Sequence, residues 1–379
     1  MKLLFFILLG LSSAFAQEEA VDKDILSKCK TEIANYCAVE IAAKKPRDVV
    51  KCLSVNESKL PVECRQQMQR YLQASSQASA RGGGALASFG GMTGLTPPIP
   101  LLAYEGRLIP DSGNGEKSNL IRDNRLLISS PVFFKEKHNV IASVSAAHLY
   151  MGEQIKLDND EKVPKNLYRT EVGLMYNRKV GERRNFGLRG SFGYTGDEIR
   201  TNTQSFSLAA TYTYPRGSGQ WLLMAFLSNN AGTFVPIPGF GYIIRTPTFN
   251  ASLGLPMISM QWTPVAPWSF SFSALGPQLS TEAAYGSVEK IQYFTGLNWT
   301  QQRYLLAERD EYRDRLTFEE KKWGNGFRTP LSKTSLLETQ TGLIFDRKIY
   351  NGQGMFDHSG GDAKLEADWF VSLSYKIAL

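Results

Sequence analysis

Over the last two-thirds of the chain, apolar and polar side chains alternate at every second position, a period that strands satisfy and helices do not. At the C-terminus Trp369, Val371, Leu373, Tyr375, Ile377 and Leu379 share one face, while Ser372, Ser374 and Lys376 take the other with Phe370 and Ala378. Leu188, Phe192 and Tyr194 oppose Arg189, Ser191 and Thr195 in the same way. Phe206, Leu208, Tyr212 and Tyr214 oppose Ser205, Ser207, Thr211 and Thr213. Trp268, Phe270 and Phe272 alternate with Ser269, Ser271 and Ser273, and Ile291, Tyr293, Leu297 and Trp299 with Gln292, Asn298 and Thr300. The expected fold class is therefore mainly β, in antiparallel strands with one apolar and one polar face.

A soluble β-sandwich also alternates, so the pattern alone leaves that alternative open. Three features favour a transmembrane antiparallel β-barrel. The strands run to about ten residues or more, the length that crosses a bilayer at a tilt. Aromatic residues gather toward strand ends, at Tyr176, Tyr194, Tyr214, Trp221, Trp268 and Trp299, where an interfacial girdle needs them. The amphipathic last strand, Trp369 to Leu379, resembles the terminal assembly signal of Gram-negative outer-membrane barrels. A mean hydropathy of −0.24 excludes a helical membrane bundle even though 42% of the 379 residues are hydrophobic. A barrel reconciles the two values, because alternate residues of one strand face lipid and lumen.

The first sixteen residues read as a signal peptide (1–16): Lys2 supplies the positive end, Leu3 to Leu11 the apolar run, and Ala14-Phe15-Ala16 the small-x-small cleavage pattern. Cleavage falls between Ala16 and Gln17, and the mature charge is then 7 − 1 = +6. No dense Lys/Arg block accompanies that charge, so nucleic-acid partners are not expected.

Residues 17–73 form the expected helical cysteine-rich domain. All four cysteines, Cys29, Cys37, Cys52 and Cys64, lie there, and an even count in an exported segment reads as two disulfides. Four cysteines allow three pairings. Two antiparallel helical stretches, suggested by Ile25, Ile33, Cys37, Val39 and Ile41, favour the nested one, Cys29 with Cys64 and Cys37 with Cys52. Paired C-x-x-C knuckles and histidine are missing from the segment, so no metal or other cofactor is expected. The run Cys29, Tyr36-Cys37, Val50-Lys51-Cys52-Leu53 and Cys64 resembles the cysteine-rich repeat of the Golgi apparatus protein, which implies a disulfide-bonded helical module and no chemistry. Residues 74–100 read as a flexible Gly/Ser/Pro linker, with a plug inside the barrel as its alternative.

The barrel domain is expected over 101–379. The short joins Glu136–Asn139, Val180–Arg183, Pro215–Gly219 and Thr329–Thr334 then share the inner side, and Asn351–Ala367 forms a long outer loop. Counting gives about fourteen strands, with twelve possible; the short join Thr263–Pro267 lands on the outer side and breaks the rule. Pro236–Tyr242, Leu253-Gly254-Leu255-Pro256 and the strand pattern Met260–Leu275 are similar to a poorly characterised Gram-negative outer-membrane β-barrel family. That resemblance implies fold and location, and no substrate. The expected location is the cell outer membrane with the N-terminal domain in the periplasm. The expected partners are outer-membrane lipid, the barrel assembly machinery, and a periplasmic protein reached through residues 24–72.

No catalytic constellation emerges, so an enzyme is not expected. His138, His148 and His358 are the only histidines and read as turn, strand and loop positions. Gly82-Gly83-Gly84 lacks the Lys-Ser/Thr of a phosphate loop. The charge-dense stretch Glu308–Lys322 reads first as a solvated loop and second as a charged patch at a pore mouth, with Arg189 and Lys376 facing inward. The expected function is a passive channel or transport-related pore. The alternatives are a barrel that anchors a periplasmic docking module, and an exported soluble sandwich.

Overall fold

The computed structural model describes residues 29–37, a few positions between 52 and 64, and 100–378 except 111–119, 310–312, 354–359 and isolated turn positions. The signal peptide with Ala16 and Gln17, most of the linker, His358 and Leu379 lie outside the described residues. Near the N-terminus α1 (Lys30–Tyr36) is short, against the two helical stretches expected. Disulfides join Cys29 to Cys64 and Cys37 to Cys52. Cys29, Cys37 and Cys64 are buried with Leu53 and Leu60 in a small cluster of their own.

The remainder is one antiparallel sheet. In chain order its strands are β1 (Leu101–Ile109), β2 (Ile121–Lys135), β3 (His138–Met151), β4 (Asn166–Lys179), β5 (Asn185–Gly196) and β6 (Gln204–Arg216). There follow β7 (Gly219–Ser228), β8 (Thr233–Arg245), β9 (Phe249–Leu255), β10 (Met257–Trp262), β11 (Trp268–Leu275) and β12 (Gln278–Gly286). The last are β13 (Gln292–Tyr304), β14 (Arg315–Pro330), β15 (Ser335–Gly352), β16 (Asp362–Leu365) and β17 (Asp368–Ala378). Each strand of the wall pairs with its chain neighbours, and β1 pairs with both β2 and β17, so the sheet closes on itself. A sandwich needs two sheets, and that alternative is excluded. β16 pairs only with the far end of β15, leaving 17 − 1 = 16 strands in the wall.

The expected count of fourteen is thus corrected to sixteen. Two reversals account for the difference: β9 turns into β10 across Pro256, where Leu253 faces Ile258 and Phe249 faces Trp262, and β11 turns into β12 at Gly276, where Leu275 faces Gln278. A proline has no N–H for the ladder, so the chain turns at Pro256 within an otherwise continuous apolar run. The β11–β12 reversal moves the Thr263–Pro267 join, and the β9–β10 reversal keeps the earlier short joins on the inner side. Thr263–Pro267 now falls at the end holding Leu101 and Ala378, called here the inner end.

Alternation sorts the side chains as the sequence implies. Leu108, Val144, Val172, Leu188, Leu208, Leu223, Phe240, Leu297, Trp323, Val371 and Leu373 are all exposed on the outer face and form a continuous apolar belt. Only a closed barrel can place such a belt in lipid without leaving backbone groups unpaired, and this is the build of an outer-membrane barrel. Aromatic pairs ring the belt toward the inner end: Tyr176 with Phe186, Trp221 with Tyr242, Trp268 with Tyr285, Tyr293 with Phe327. Trp299 is the exception among the girdle residues. It sits within β13 opposite Leu279 and Lys321, with the Lys321 ammonium 5.3 Å from its ring centroid.

The wall is uneven in height. β14 and β15 have 16 and 18 residues, whereas β9, β10 and β11 have 7, 6 and 8. The expectation that strands reach ten residues fails on that side. At about 3.3 Å per residue β10 extends about 20 Å along its own axis, and less along the barrel axis because strands tilt.

Candidate functional site in the barrel lumen

The lumen is built from the polar half of each strand. In its outer half that rule is broken by a second apolar core. Ile109, Ile121, Leu149, Met151, Leu167, Tyr304, Leu316, Ile344, Ile349 and Phe370 are buried there. The long β3–β4 connection adds Ile155, Leu157 and Val163, and β16 adds Leu365. Each fully buried side chain of this size contributes about 1.5–3 kcal/mol.

A strap of chain seals the same end. β13 and β5 stand eight strands apart in a ring of sixteen, on opposite sides, yet Arg303–Ala307 reaches across to β5. The Leu305 amide donates to the Thr195 carbonyl (3.0 Å), and Thr195 Oγ1 donates to the Arg303 carbonyl (3.2 Å). The Ala307 amide donates to Asp197 Oδ1 (2.9 Å), and Asn202 Nδ2 donates to the Ala307 carbonyl. Arg315 Nη2 donates to the Asn229 carbonyl (2.8 Å) beyond β7. The strap lies so close to Gly196 that a Cβ there would stand 2.1 Å from the Leu305 carbonyl oxygen. Glycine is the residue this crossing admits.

Beneath the apolar fill lies a network of buried charge. Arg107 of β1 donates through Nη2 to Asp123 Oδ2 (3.0 Å) and through Nη1 to Glu320 of β14. Arg125 grips Asp123 with Nη2 (2.7 Å) and Nε (3.2 Å), and Gln302 Nε2 reaches the same carboxylate (3.4 Å). Lys322 rests 5.7 Å from the Phe370 ring centroid, at the floor of the apolar fill. Toward the inner end Arg328 joins three strands, donating to Glu282 (2.6 and 2.7 Å), Glu338 (2.8 Å) and Gln292 (3.2 Å), with its guanidinium 4.1 Å from the Phe294 ring centroid.

The inner half of the lumen is open to water on this side. Leu127 lies on the same face of β2 as Asp123 and Arg125, yet it is 38% exposed. The Arg125 side chain is 42% exposed.

The described part of the Glu308–Lys322 stretch is not a solvated loop, because it supplies the first half of β14, with Arg315, Glu319 and Glu320 buried. Arg189 and Lys376 take lumen-facing positions of β5 and β17, by alternation from Ser191 and Phe370. His138 bonds Tyr176 (2.9 Å) and His148 stacks on Tyr168, both on the outer face. Trp369, Val371 and Leu373 are exposed to the lipid side, and Tyr375 and Ile377 continue that face. Arg107, Asp123, Arg125 and Arg347 carry no motif, and only the polar half of the alternation could have pointed to them.

No protein-family model and no curated protein sequence matches the chain. Several solved structures are similar in shape. An outer membrane channel from Pseudomonas putida F1 has 10% identity and a TM-score of 0.36, over 76% of this chain and 98% of that one. The CymD monoaromatic hydrocarbon channel has 11% identity and a TM-score of 0.32, over 80% and 96%. The β domain of the Bordetella autotransporter BrkA has 8% identity and a TM-score of 0.28, over 74% and 99%. Scores of this size carry no argument about cargo.

Proposed function

We propose that this chain is an outer-membrane channel whose outer mouth is held shut by the Arg303–Ala307 strap and the apolar fill beneath it. The observation that carries this reading is the exposure of Leu127 and Arg125 on the lumen face of a sixteen-strand wall. A wall of that girth encloses more space than its own side chains fill. The role is transport and not catalysis, and the inner end faces the periplasm with the disulfide-bonded segment. Planar-bilayer recording tests it. The unaltered barrel conducts in rare, brief openings, and Gly196→Val, which unseats Leu305, raises mean conductance several-fold. Silence in both proteins, each shown to be folded by heat-modifiable gel mobility, rejects the channel.

The filled outer half supports a second reading, in which the barrel is an anchor for a docking module at residues 24–72. Crosslinking in whole cells that finds a periplasmic partner lost on deleting that segment, together with silent bilayers, selects it.

A further inference from the structure

Arg347 of β15 is buried to 4% exposure, and its Nη1 has no hydrogen-bond partner. It faces inward, since it pairs across the ladder with Leu365 of the apolar fill. A buried guanidinium brings five donors and a full charge that water no longer solvates. In folded proteins such a group is paired, and leaving it unpaired is costly. The carboxylates within range of Arg347 have partners of their own. Glu320 lies within Coulomb range of Arg347 but accepts from Arg107, and Asp123 is held by both Arg107 and Arg125. Asp368, also within Coulomb range, accepts from the Trp369 amide. Lys322, on the same lumenal face of β14 as Glu320, has the Phe370 ring as its contact and no ion pair. Arg347 and Lys322, neither in an ion pair, thus share Glu320, which Arg107 already holds, while Lys322 also lies within Coulomb range of Glu105 on β1 and of Glu338, which Arg328 holds.

We propose that this corner of the lumen is a binding site for a small soluble oxyanion, a carboxylate or phosphate, held by the Arg347 guanidinium and the Lys322 ammonium. The planar guanidinium suits a two-oxygen ligand. Half-buried Lys322 and Arg125 lie on the side open to the inner lumen, so the ligand arrives from water and stops beneath the apolar fill. The inference deepens the channel reading by naming a solute class, and rests on it only for the route of access. Binding is measured without conduction, so either can fail alone.

The test is calorimetric titration of the full-length barrel, in chloride-free buffer, with inorganic phosphate and separately with acetate. Saturable binding of one site per barrel is expected for at least one of the two. Arg347→Gln weakens it at least tenfold, equivalent to about 1.4 kcal/mol, Lys322→Gln weakens it less, and Lys321→Gln on the outer face leaves it unchanged. A second measurement guards against a misfolded variant. Phosphate raises the thermal midpoint of the unaltered barrel and not that of Arg347→Met, which is folded and at least as stable without anion. Absence of saturable binding by either anion, or equal binding by Arg347→Gln, overturns the proposal.

Discussion

From β13 to β15 and from β2 to β4 the strands are long, with the shorter β17 and β1 (11 and 9 residues) between them, and the lumenal side of this arc is packed, whereas from β9 to β12 the strands are short and thinly furnished. β2, β3 and β4 have 15, 14 and 14 residues, against 7, 6, 8 and 9 in β9 to β12. The tall arc carries the apolar fill and the Arg107 network. The low arc lines its lumenal side with Ser252, Ser259, Ser269, Ser271 and Ser273, and its Met257 joins Leu222 of β7 and Ile243 of β8 in a small cluster. One arc behaves as a folded domain with its own core, and the other as a membrane wall and little more. Stability in this barrel is therefore predicted to be concentrated on one side.

Substitutions can break that contrast. The largest loss is expected from Arg107→Met, which strips Glu320 of its hydrogen-bonded partner and Asp123 of one of its two guanidinium partners. Removing one member of a buried ion pair costs about 3–5 kcal/mol, read as the urea unfolding midpoint in lipid vesicles. Leu167→Ala, within the apolar fill, follows at about 2–5 kcal/mol in the same assay. Lys321→Gln removes a pair with Asp346 on the outer face, where both side chains are about one-third exposed or more, and costs under about 1 kcal/mol. Ser271→Ala in the low arc changes stability by no more than about 0.5 kcal/mol. A low-arc substitution as costly as Leu167→Ala would erase the distinction between the arcs.

The same contrast explains what could be read from sequence. Where a strand has lipid on one side and water on the other, the period of two is clean, and β5, β6, β11 and β17 are legible from it. In the outer halves of β13 to β15 it fails, because both faces are buried. Arg315, Leu316 and Thr317 are consecutive and all buried, so no alternation remains and the stretch imitates a charged loop. Pro256 hid the β9–β10 reversal inside an apolar run that passes for one strand. The Arg107–Glu320 bond links residues 213 apart in sequence, and local pattern holds no trace of such a pairing. The lumenal cations were visible as polar positions, but which of them lack a partner is a property of packing alone.

Water access along the lumen tests the two-level interior most directly. The described cysteines are all disulfide-bonded, so single cysteines can be introduced at Leu127 in the inner half and at Ile344 in the apolar fill. With a membrane-impermeant maleimide on barrels reconstituted in vesicles, Leu127→Cys is expected to label within minutes. Ile344→Cys should stay unlabelled until the barrel is unfolded. Comparable labelling at both positions in the folded barrel would show an open outer half and contradict the account.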